Sequence, residues 1–203
     1  MAAGRLLDTT RDEDIRRAAL ELLLADGYDR LTIESVAARA HAGKATIYRR
    51  WASKADLVID ALNRTKPLVE PPETGSLSGD LHALVPVAAP GDAGPMSLMY
   101  GLATSLASAL ARDPELARAF REHFCQPRQE LIARLLGRAR ARGEVPPGRG
   151  SGLFLALIPA LLLYRVVFDG EIPDAAYMAE VIDTILVPLA TAPVVLQSAE
   201  RNA

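Results

Sequence analysis

Five cationic side chains lie between residues 39 and 54, a stretch that contains no aspartate or glutamate. The chain as a whole carries a net charge of -2, so this positive charge is a local feature. Lysine and arginine bind phosphate oxygens, and a cluster of this kind is typical of a nucleic-acid-binding surface. A solvated basic face on a helical protein has the same composition, and the residue types leave both interpretations open. The five residues are Arg39, Lys44, Arg49, Arg50 and Lys54.

The basic cluster falls on two short predicted helices that are separated by a tight turn. Thr32 is the predicted cap of the first, and the turn is His41-Ala42-Gly43. The second helix is predicted from Lys44 to Arg50 or Trp51. Histidine can adopt the left-handed backbone conformation at some strain, and glycine is a tolerable helix cap, so we expect the turn to form.

The second of these helices has the residue types of a DNA-reading helix. Small or polar residues at its exposed N-terminal end let the backbone approach base edges. Tyrosine, arginine and lysine are suited to phosphate oxygens, which fix the register on DNA without reading sequence. Ile47 and Trp51 are four residues apart and are predicted to face inward against the first helix. The candidates for the approach to base edges are Lys44, Ala45 and Thr46. The candidates for phosphate contacts are Tyr48, Arg49 and Lys54.

The rest of the chain also has helical periodicity, and we predict an all-α fold with about nine helices. The first helix is predicted to begin at a capping box, Thr10 to Glu13, and to end at Asp26-Gly27. Ser53 and Asp56 form a predicted capping box at the start of the fourth helix. A segment rich in Pro, Gly, Thr and Ser, 65–79, is the predicted linker. Five further helices are predicted at 80–88, from Pro95 to before Asp113, from Pro114 to about Gly143 with a kink or split at Pro127, at 151–168, and at 173–190.

Composition excludes several classes of protein. Half of the residues are hydrophobic and 5% are aromatic, and leucine and alanine dominate over β-branched residues, which favours helices packed on helices. The single cysteine, Cys125, allows no intrachain disulfide and indicates a reducing compartment. The N-terminal segment MAAGRLLDTTRDED turns acidic where a signal peptide needs an apolar core, so we do not expect secretion. The apolar run Leu153 to Phe168 is interrupted by Pro159 and Arg165. We therefore expect a cytoplasmic protein that does not span a membrane.

The stretch LTIESVAARAHAGKATIYRRWASKADLVIDAL closely resembles the DNA-binding segment of the tetracycline repressor (TetR) family. The matching features are Thr32-Ile33, Val36-Ala37, Thr46-Ile47-Tyr48, Trp51 and Ser53-Lys54, and the resemblance is strong over residues 10 to 64. The family usually has Gly-Val-Ser in the turn, where this chain has His41-Ala42-Gly43. The cap hydroxyl is therefore missing, which puts a DNA contact from Gly43 in doubt.

The resemblance implies a DNA-binding transcriptional regulator, a repressor by the family's default. It implies an N-terminal three-helix helix-turn-helix domain (1–64), joined by helix four and the linker (65–79) to a helical ligand-binding and dimerisation domain (80–203). Tyr48 and Lys54 are then expected to contact phosphates, and Lys44 and Ala45 to lie nearest the bases. Of Arg49 and Arg50, one is expected to face the DNA backbone and the other to pair with an acidic neighbour. The predicted DNA-binding residues are Thr32, Lys44, Ala45, Thr46, Tyr48, Arg49 and Lys54.

The expected partners are a palindromic double-stranded DNA operator, a second copy of the chain, and a small apolar or amphipathic effector that releases the operator. The resemblance implies an effector pocket in the C-terminal domain. Its predicted lining residues are Met99, Tyr100, Phe120, Phe124, Tyr164 and Phe168. Met96 is a further candidate for the lining. The dimer interface is predicted from the nearly continuous apolar faces of the last two helices. Its candidate residues are Leu153, Leu157, Leu161, Val181, Ile185 and Leu189.

Two other functional classes remain as alternatives. An enzyme is disfavoured because His41, His82 and His123 are dispersed, and because His123 and Cys125 are two apart and point to different faces of a helix. No phosphate loop or zinc spacing is present, so we predict no catalytic residue, metal or cofactor. A helical interaction module without sequence-specific DNA binding is the second alternative. Salt-sensitive DNA binding would distinguish it from a regulator.

Overall fold

The computed structural model describes residues 3–65, 67–70, 72–85, 94–147 and 152–193, without the side chains of residues 3–9, 94–100, 103, 104, 152 and 153. The described residues form nine helices and no strand, which confirms the predicted all-α fold. They are α1 (Ala3–Arg30), α2 (Ile33–Arg39), α3 (Lys44–Arg50), α4 (Lys54–Thr65), α5 (Leu77–His82), α6 (Gly94–Arg112), α7 (Pro114–Phe120, a π-helical turn Arg121–Cys125, and Gln126–Ala141), α8 (Gly152–Val167) and α9 (Ala175–Val181, a π-helical turn Ile182–Leu186, and Val187–Thr191).

Helix α1 begins earlier than its sequence signals predict. The Thr10 capping box was expected to start the helix, but the helix already runs from Ala3, so that prediction is wrong. No proline or second glycine follows Gly4 before Thr10, so nothing in the backbone stops the helix from extending upstream. The predicted stop is confirmed, because Gly27 leaves the helical conformation with φ 77° and ψ 169° and divides the segment Ala3–Arg30 into two helical parts at a kink.

The turn between α2 and α3 forms in spite of its unusual sequence. Thr32 caps α2 by accepting a hydrogen bond from the backbone N–H of Ser35 at 3.1 Å, and the Ser35 hydroxyl accepts one from the Thr32 N–H at 3.1 Å. His41 adopts a positive φ of 50°, as predicted. Gly43 is the N-cap of α3 and provides no side-chain hydrogen bond. The turn is therefore held by its backbone, by the packing of α2 and α3, and by Arg11 of α1, whose guanidinium donates to the His41 carbonyl at 2.5 Å.

Two further helix starts test the capping signals. Ser53 caps α4, since its hydroxyl accepts from the Asp56 N–H at 3.1 Å; this prediction is confirmed. Helix α5 begins at Leu77 with Ser76 as its cap, three residues before the predicted start. The Ser76 hydroxyl accepts from the Gly79 N–H at 3.1 Å, and Asp80 is instead a fully buried residue inside the helix that accepts from Thr74.

Prolines inside α7 and α9 are accommodated by π-helical turns. Pro127 was expected to kink or split its helix, and a π turn does divide the α-helical segment just before it, after which the helix resumes and runs to Ala141. Each π turn ends two residues before a proline, Pro127 in α7 and Pro188 in α9. Proline lacks an N–H and clashes with the carbonyl four residues earlier. The wider π turn provides the room at that carbonyl, so neither helix has to end.

The chain forms two compact units. The first is drawn from the described parts of Met1–Val69, Ala88–Arg128 and Leu163–Ile172, and the second from those of Glu70–Val87, Gln129–Leu162 and Pro173–Ala203. The core of the first unit joins α1 to α4 with α6 and the start of α7, and includes Ile15, Leu23, Ile47, Leu57, Leu102 and Leu116. The core of the second includes Leu77, Leu135, Leu136, Phe154, Ile182 and Leu186. No helix in the described ranges is long and apolar enough to cross a membrane.

Candidate nucleic-acid interface

Helix α3 has one buried and one exposed face. The buried face consists of Ile47, which is fully buried, and of Trp51, which follows the helix and is 6% exposed. Both face inward, as predicted from their spacing. The exposed residues of the other face are Lys44, Ala45, Tyr48, Arg49 and Arg50, with Thr46 half-buried. Helix α3 therefore presents a basic and aromatic surface to solvent while its apolar side joins the core of the first unit.

Tyr48 and Arg49, both predicted to contact DNA, are exposed on the outer face of α3. Tyr48 is 53% exposed, and within the described part of the chain neither side chain forms a hydrogen bond or ion pair. Arg50 differs, because its Nε lies 3.5 Å from Oδ1 of the largely buried Asp12 on α1. Of the two arginines, the structure thus pairs Arg50 with an acidic neighbour and leaves Arg49 available.

Lys44, at the start of α3, is paired with an acidic residue of α2. Its Nζ donates to Oε1 of Glu34 at 2.5 Å, and both side chains are more than half exposed. The hydrogen bond from Lys44 lowers the pKa of the Glu34 carboxyl below its usual value. Glu34 therefore stays ionised at neutral pH and holds the Lys44 ammonium.

Replacing Glu34 with glutamine is expected to raise DNA affinity a few-fold. The substitution removes a negative charge beside α3 and leaves the Lys44 ammonium available to DNA. Fluorescence polarisation with a labelled duplex measures this effect. Glu115→Gln is the matched control, since Glu115 is an exposed glutamate at the start of α7 and its replacement changes the net charge equally. Equal effects of the two variants would show that Glu34 acts only through net charge.

Lys54 and Thr32 have structural partners in addition to their predicted roles. The Lys54 ammonium donates to the Tyr28 carbonyl at 3.0 Å and lies 3.9 Å from the centre of the Tyr28 ring. Thr32 is the N-cap of α2. An ammonium carries three donor protons, so the Tyr28 contact leaves Lys54 capacity for a phosphate. The contact also fixes where that ammonium can reach.

Behind α3 lies a polar contact that the sequence analysis missed. The Trp51 indole N–H donates to Oδ2 of Asp60 on α4 at 2.7 Å, and Arg16 Nε of α1 donates to the same oxygen at 2.8 Å. The Arg16 guanidinium also lies 5.4 Å from the centre of the Trp51 ring. Asp60 thus holds the end of α3 against α1 and α4. A signal was present in the sequence, because Asp60 is a lone charge within the apolar run 57–62.

An open cleft of about 760 Å³ lies beside this contact in the first unit. Its walls come from α1, the α3–α4 junction, α4 and the π turn of α7. Most of the lining side chains are polar, in contrast to the apolar pocket predicted for an effector. The residues that line it include Asp12, Arg50, Trp51, Asp60, Asn63 and His123.

The predicted effector-pocket residues fall into three groups. Phe120 and Phe124 are stacked with ring centres 4.9 Å apart and pack, partly buried, against the core of the first unit. Tyr164 and Phe168 are also stacked, at 5.1 Å, but are 56% and 74% exposed. The side chains of Met96, Met99 and Tyr100 lie outside the described residues.

The predicted dimer residues also differ in exposure. Val181 is buried in the core of the second unit, while Leu157 and Leu161 pack against that core partly buried. Ile185 is half-buried, and Leu189 is 40% exposed. The Leu153 side chain lies outside the described residues. Among the described side chains of this set, Leu189 is therefore the most exposed.

His123 and Cys125 both lie in the π turn of α7. Burial raises the pKa of the Cys125 thiol, an effect that the charges of Arg128 and Arg121 partly oppose. A raised pKa keeps the thiol protonated and poorly nucleophilic. Within the described ranges, no group of three or more His, Cys, Asp and Glu side chains is arranged to hold a metal ion.

Two family models match the chain. Residues 15–61 match the model of the bacterial regulatory proteins of the tetR family. Residues 71–185 match the model of the tetracyclin repressor-like C-terminal domain. The first match contains the α2–turn–α3 segment and the Trp51–Asp60 contact.

Transcriptional regulators of other bacteria are similar to this chain over most of its length. A DNA-binding transcriptional repressor TetR of Mycobacteroides abscessus is 34% identical over 182 residues, which cover 89% of this chain and 94% of the relative. An uncharacterised HTH-type transcriptional regulator of Mycobacterium tuberculosis is 32% identical over 182 residues, or 89% and 88% of the two chains. The crystal structure of the TetR family transcription regulator SCO0332 has a TM-score of 0.59 and 26% identity, and the match covers 85% of this chain and 94% of that one. The chain belongs to the TetR family of DNA-binding transcriptional regulators.

Proposed function

We propose that the protein is a homodimeric repressor that inserts α3 of each copy into the major groove of a palindromic operator and is released by a small apolar or amphipathic effector. The observation that carries the DNA-binding part is the exposed face of α3. It combines available Tyr48 and Arg49 side chains with a buried Ile47 that fixes the helix in the core. A short helix anchored in this way presents its outer face to a groove at a defined angle.

The proposed contacts divide into two kinds. Tyr48, Arg49 and Lys54 are assigned to phosphates, where they set the register on the duplex. Lys44, Ala45 and Thr46 at the N-terminal end of α3 are assigned to base edges, with Thr32 at the start of α2 close to the DNA backbone. A Lys44 substitution is then expected to change sequence preference, and a Tyr48 substitution to weaken binding to all sequences alike.

Dimerisation is proposed through the last two helices. In the second unit, α8 leaves Ala156, Pro159 and Ala160 exposed and α9 leaves Leu189 exposed. In the first unit, Leu163, Tyr164, Val167 and Phe168 are exposed. Within each unit, the exposed residues on α8 or directly after it recur with a spacing of three and one, which places them on one side of the helix. An exposed apolar face of this kind is typical of a subunit interface.

Leu189→Asp is expected to convert the dimer to a monomer and to abolish tight operator binding. The side chain is 40% exposed, so a single chain tolerates the charge, whereas a dimer interface would have to bury it. Sedimentation at working concentration measures the oligomeric state. Leu68→Asp is the control, because Leu68 is also an exposed leucine, at 48%, but lies outside α8 and α9. A Leu189→Asp variant that sediments like the wild type contradicts this interface.

Effector release is proposed to involve the partly buried Phe120–Phe124 pair. These two rings pack against the core of the first unit, to which α1 and α4 also contribute. The test is displacement of a labelled operator from the full-length protein by a panel of apolar and amphipathic compounds. A true effector binds free protein more tightly than operator-bound protein, by the same factor by which it weakens operator binding. A panel that binds the protein without releasing DNA would contradict the proposal.

A further inference from the structure

The turn that precedes α3 has a strained backbone conformation and no side-chain cap. His41 follows the end of α2 in the left-handed region, with φ 50°, where glycine is usual and any other side chain is strained. Gly43 caps α3 without a side-chain hydrogen bond, whereas a hydroxyl caps each of α2, α4 and α5. The turn therefore lacks two local stabilising features, a glycine at position 41 and a capping side chain at position 43.

The backbone of the turn makes its hydrogen bonds in spite of this strain. The Ala42 N–H donates to the Ala37 carbonyl at 2.9 Å, and the His41 N–H donates to the Ala38 carbonyl at 3.3 Å. This pair of bonds is the Schellman arrangement, which requires the left-handed conformation at His41. The His41 carbonyl takes no part in either bond, so its donor comes from another part of the chain.

Arg11 of α1 supplies that donor. Its Nη1 donates to the His41 carbonyl at 2.5 Å, across thirty residues of sequence. The next residue of α1, the largely buried Asp12, has its Oδ1 3.5 Å from Nε of Arg50 at the end of α3. Two consecutive residues of α1 thus contact the chain just before α3 and at its last residue. We call Arg11 and Asp12 the α1 clamp.

We propose that Arg11 is a positioning residue for DNA recognition, which holds the strained turn in place and so fixes the orientation of α3. The His41 carbonyl belongs to the rigid peptide plane that joins residues 41 and 42. A donor held on α1 therefore restrains that plane in the left-handed conformation of His41, while Asp12 restrains the other end of α3. The inference rests on the proposed role of α3 for its consequence in DNA recognition, but the hold on the turn exists in the free protein.

Amide hydrogen exchange of Ala42 in the free full-length protein tests the hold on the turn. The Ala42 N–H exchanges when the turn opens and its bond to the Ala37 carbonyl breaks. Arg11→Ala is expected to speed this exchange several-fold. Arg17→Ala is the matched control, because Arg17 is another exposed arginine of α1, paired with Asp14 of its own helix, and its loss changes the net charge equally. The control is expected to exchange at the wild-type rate.

His41→Gly separates positioning of the turn from a direct contact of Arg11 with DNA. Glycine adopts a positive φ without strain, so the turn then holds without Arg11. In the His41→Gly background, Arg11→Ala is expected to have little further effect on Ala42 exchange, because the two changes act on one conformation. An Ala42 exchange rate that Arg11→Ala leaves at the wild-type value would overturn the proposal. An effect of Arg11→Ala that His41→Gly does not diminish would overturn it as well.

The consequence for DNA is measured with a duplex that the wild-type protein selects from a random-sequence pool. In fluorescence polarisation, Arg11→Ala is expected to lower the preference for this duplex over a scrambled one several-fold, and His41→Gly to restore most of it. An equal loss of affinity for both duplexes that His41→Gly does not restore would identify Arg11 as a phosphate contact and contradict the proposal. If the wild-type protein selects no sequence, the proposed function fails, and the Ala42 exchange rates still decide whether Arg11 holds the turn.

Discussion

Alanine at both Tyr48 and Arg49 is expected to weaken operator binding by roughly a hundredfold or more. A hydrogen bond to a charged group contributes about 1.5–3 kcal/mol, so losing two of them costs about 3 kcal/mol or more. Neither side chain makes a hydrogen bond or ion pair within the described part of the chain. The free energy of unfolding is therefore expected to stay within about 0.5 kcal/mol per substitution of the wild type.

Fluorescence polarisation across a salt series measures this loss. The slope of log affinity against log salt is expected to fall by about one for each phosphate contact removed. Arg118→Ala is the control, since Arg118 is a half-exposed arginine of α7 that pairs with Glu122. A Tyr48–Arg49 variant that binds as tightly as the Arg118 variant would show that the exposed face of α3 does not contact DNA.

Ile47→Ala is expected to lower the free energy of unfolding by about 2–5 kcal/mol, the usual range for such a truncation in a core. Ile47 is fully buried and belongs to the core of the first unit. It is the buried residue of a helix only seven residues long, and a helix of that length depends on packing for its stability. Operator binding is therefore expected to fall together with stability.

Urea unfolding at fixed protein concentration measures this change. Val69→Ala is the control, because Val69 is 57% exposed and its truncation is expected to cost less than about 0.5 kcal/mol. An Ile47 variant as stable as the Val69 variant would mean that α3 does not pack in the core. In that case Ile47 could not hold the outer face of α3 toward DNA.

Most of the helical architecture could be predicted because local signals determine it. Thr32 and Ser53 are caps whose hydroxyls satisfy N–H groups within the same turn, and Gly27 ends a helix by its own backbone freedom. Such features depend on residues three or four apart. The start of α1 was predicted wrongly because a capping box is also compatible with the interior of a helix that happens to begin earlier.

The exposed face of α3 could be predicted for the same reason, since a buried Ile47 and Trp51 dictate which residues face outward. The polar contacts behind α3 could not be predicted from the sequence. Asp60 meets Trp51 and Arg16 only after three helices have packed, and Asn63 meets His123 across 60 residues of sequence. Periodicity predicts which side of a helix is buried but carries no information on which polar group it will meet there.

Prolines show the limit of a local rule most clearly. Pro127 predicts an interruption of its helix, and the π turn before it is that interruption. What the local rule does not predict is that the helix resumes as far as Ala141, or that Asn63 of α4 donates to the His123 carbonyl. The compensation comes from another helix and is therefore invisible to any window around Pro127. A π turn also precedes Pro188, whereas Pro159 lies within the α-helical segment Gly152–Val167 without one.

The most direct test of the account is binding of the purified full-length protein to the DNA just upstream of its own gene, over a salt series, beside a scrambled duplex. The account predicts binding that is tight, falls steeply as salt rises, and is stronger for the upstream DNA than for the scrambled duplex. Salt-sensitive but unselective binding would place the operator elsewhere. No binding to either duplex at low salt would contradict the account, and the His41-Ala42-Gly43 turn would be the first segment to re-examine.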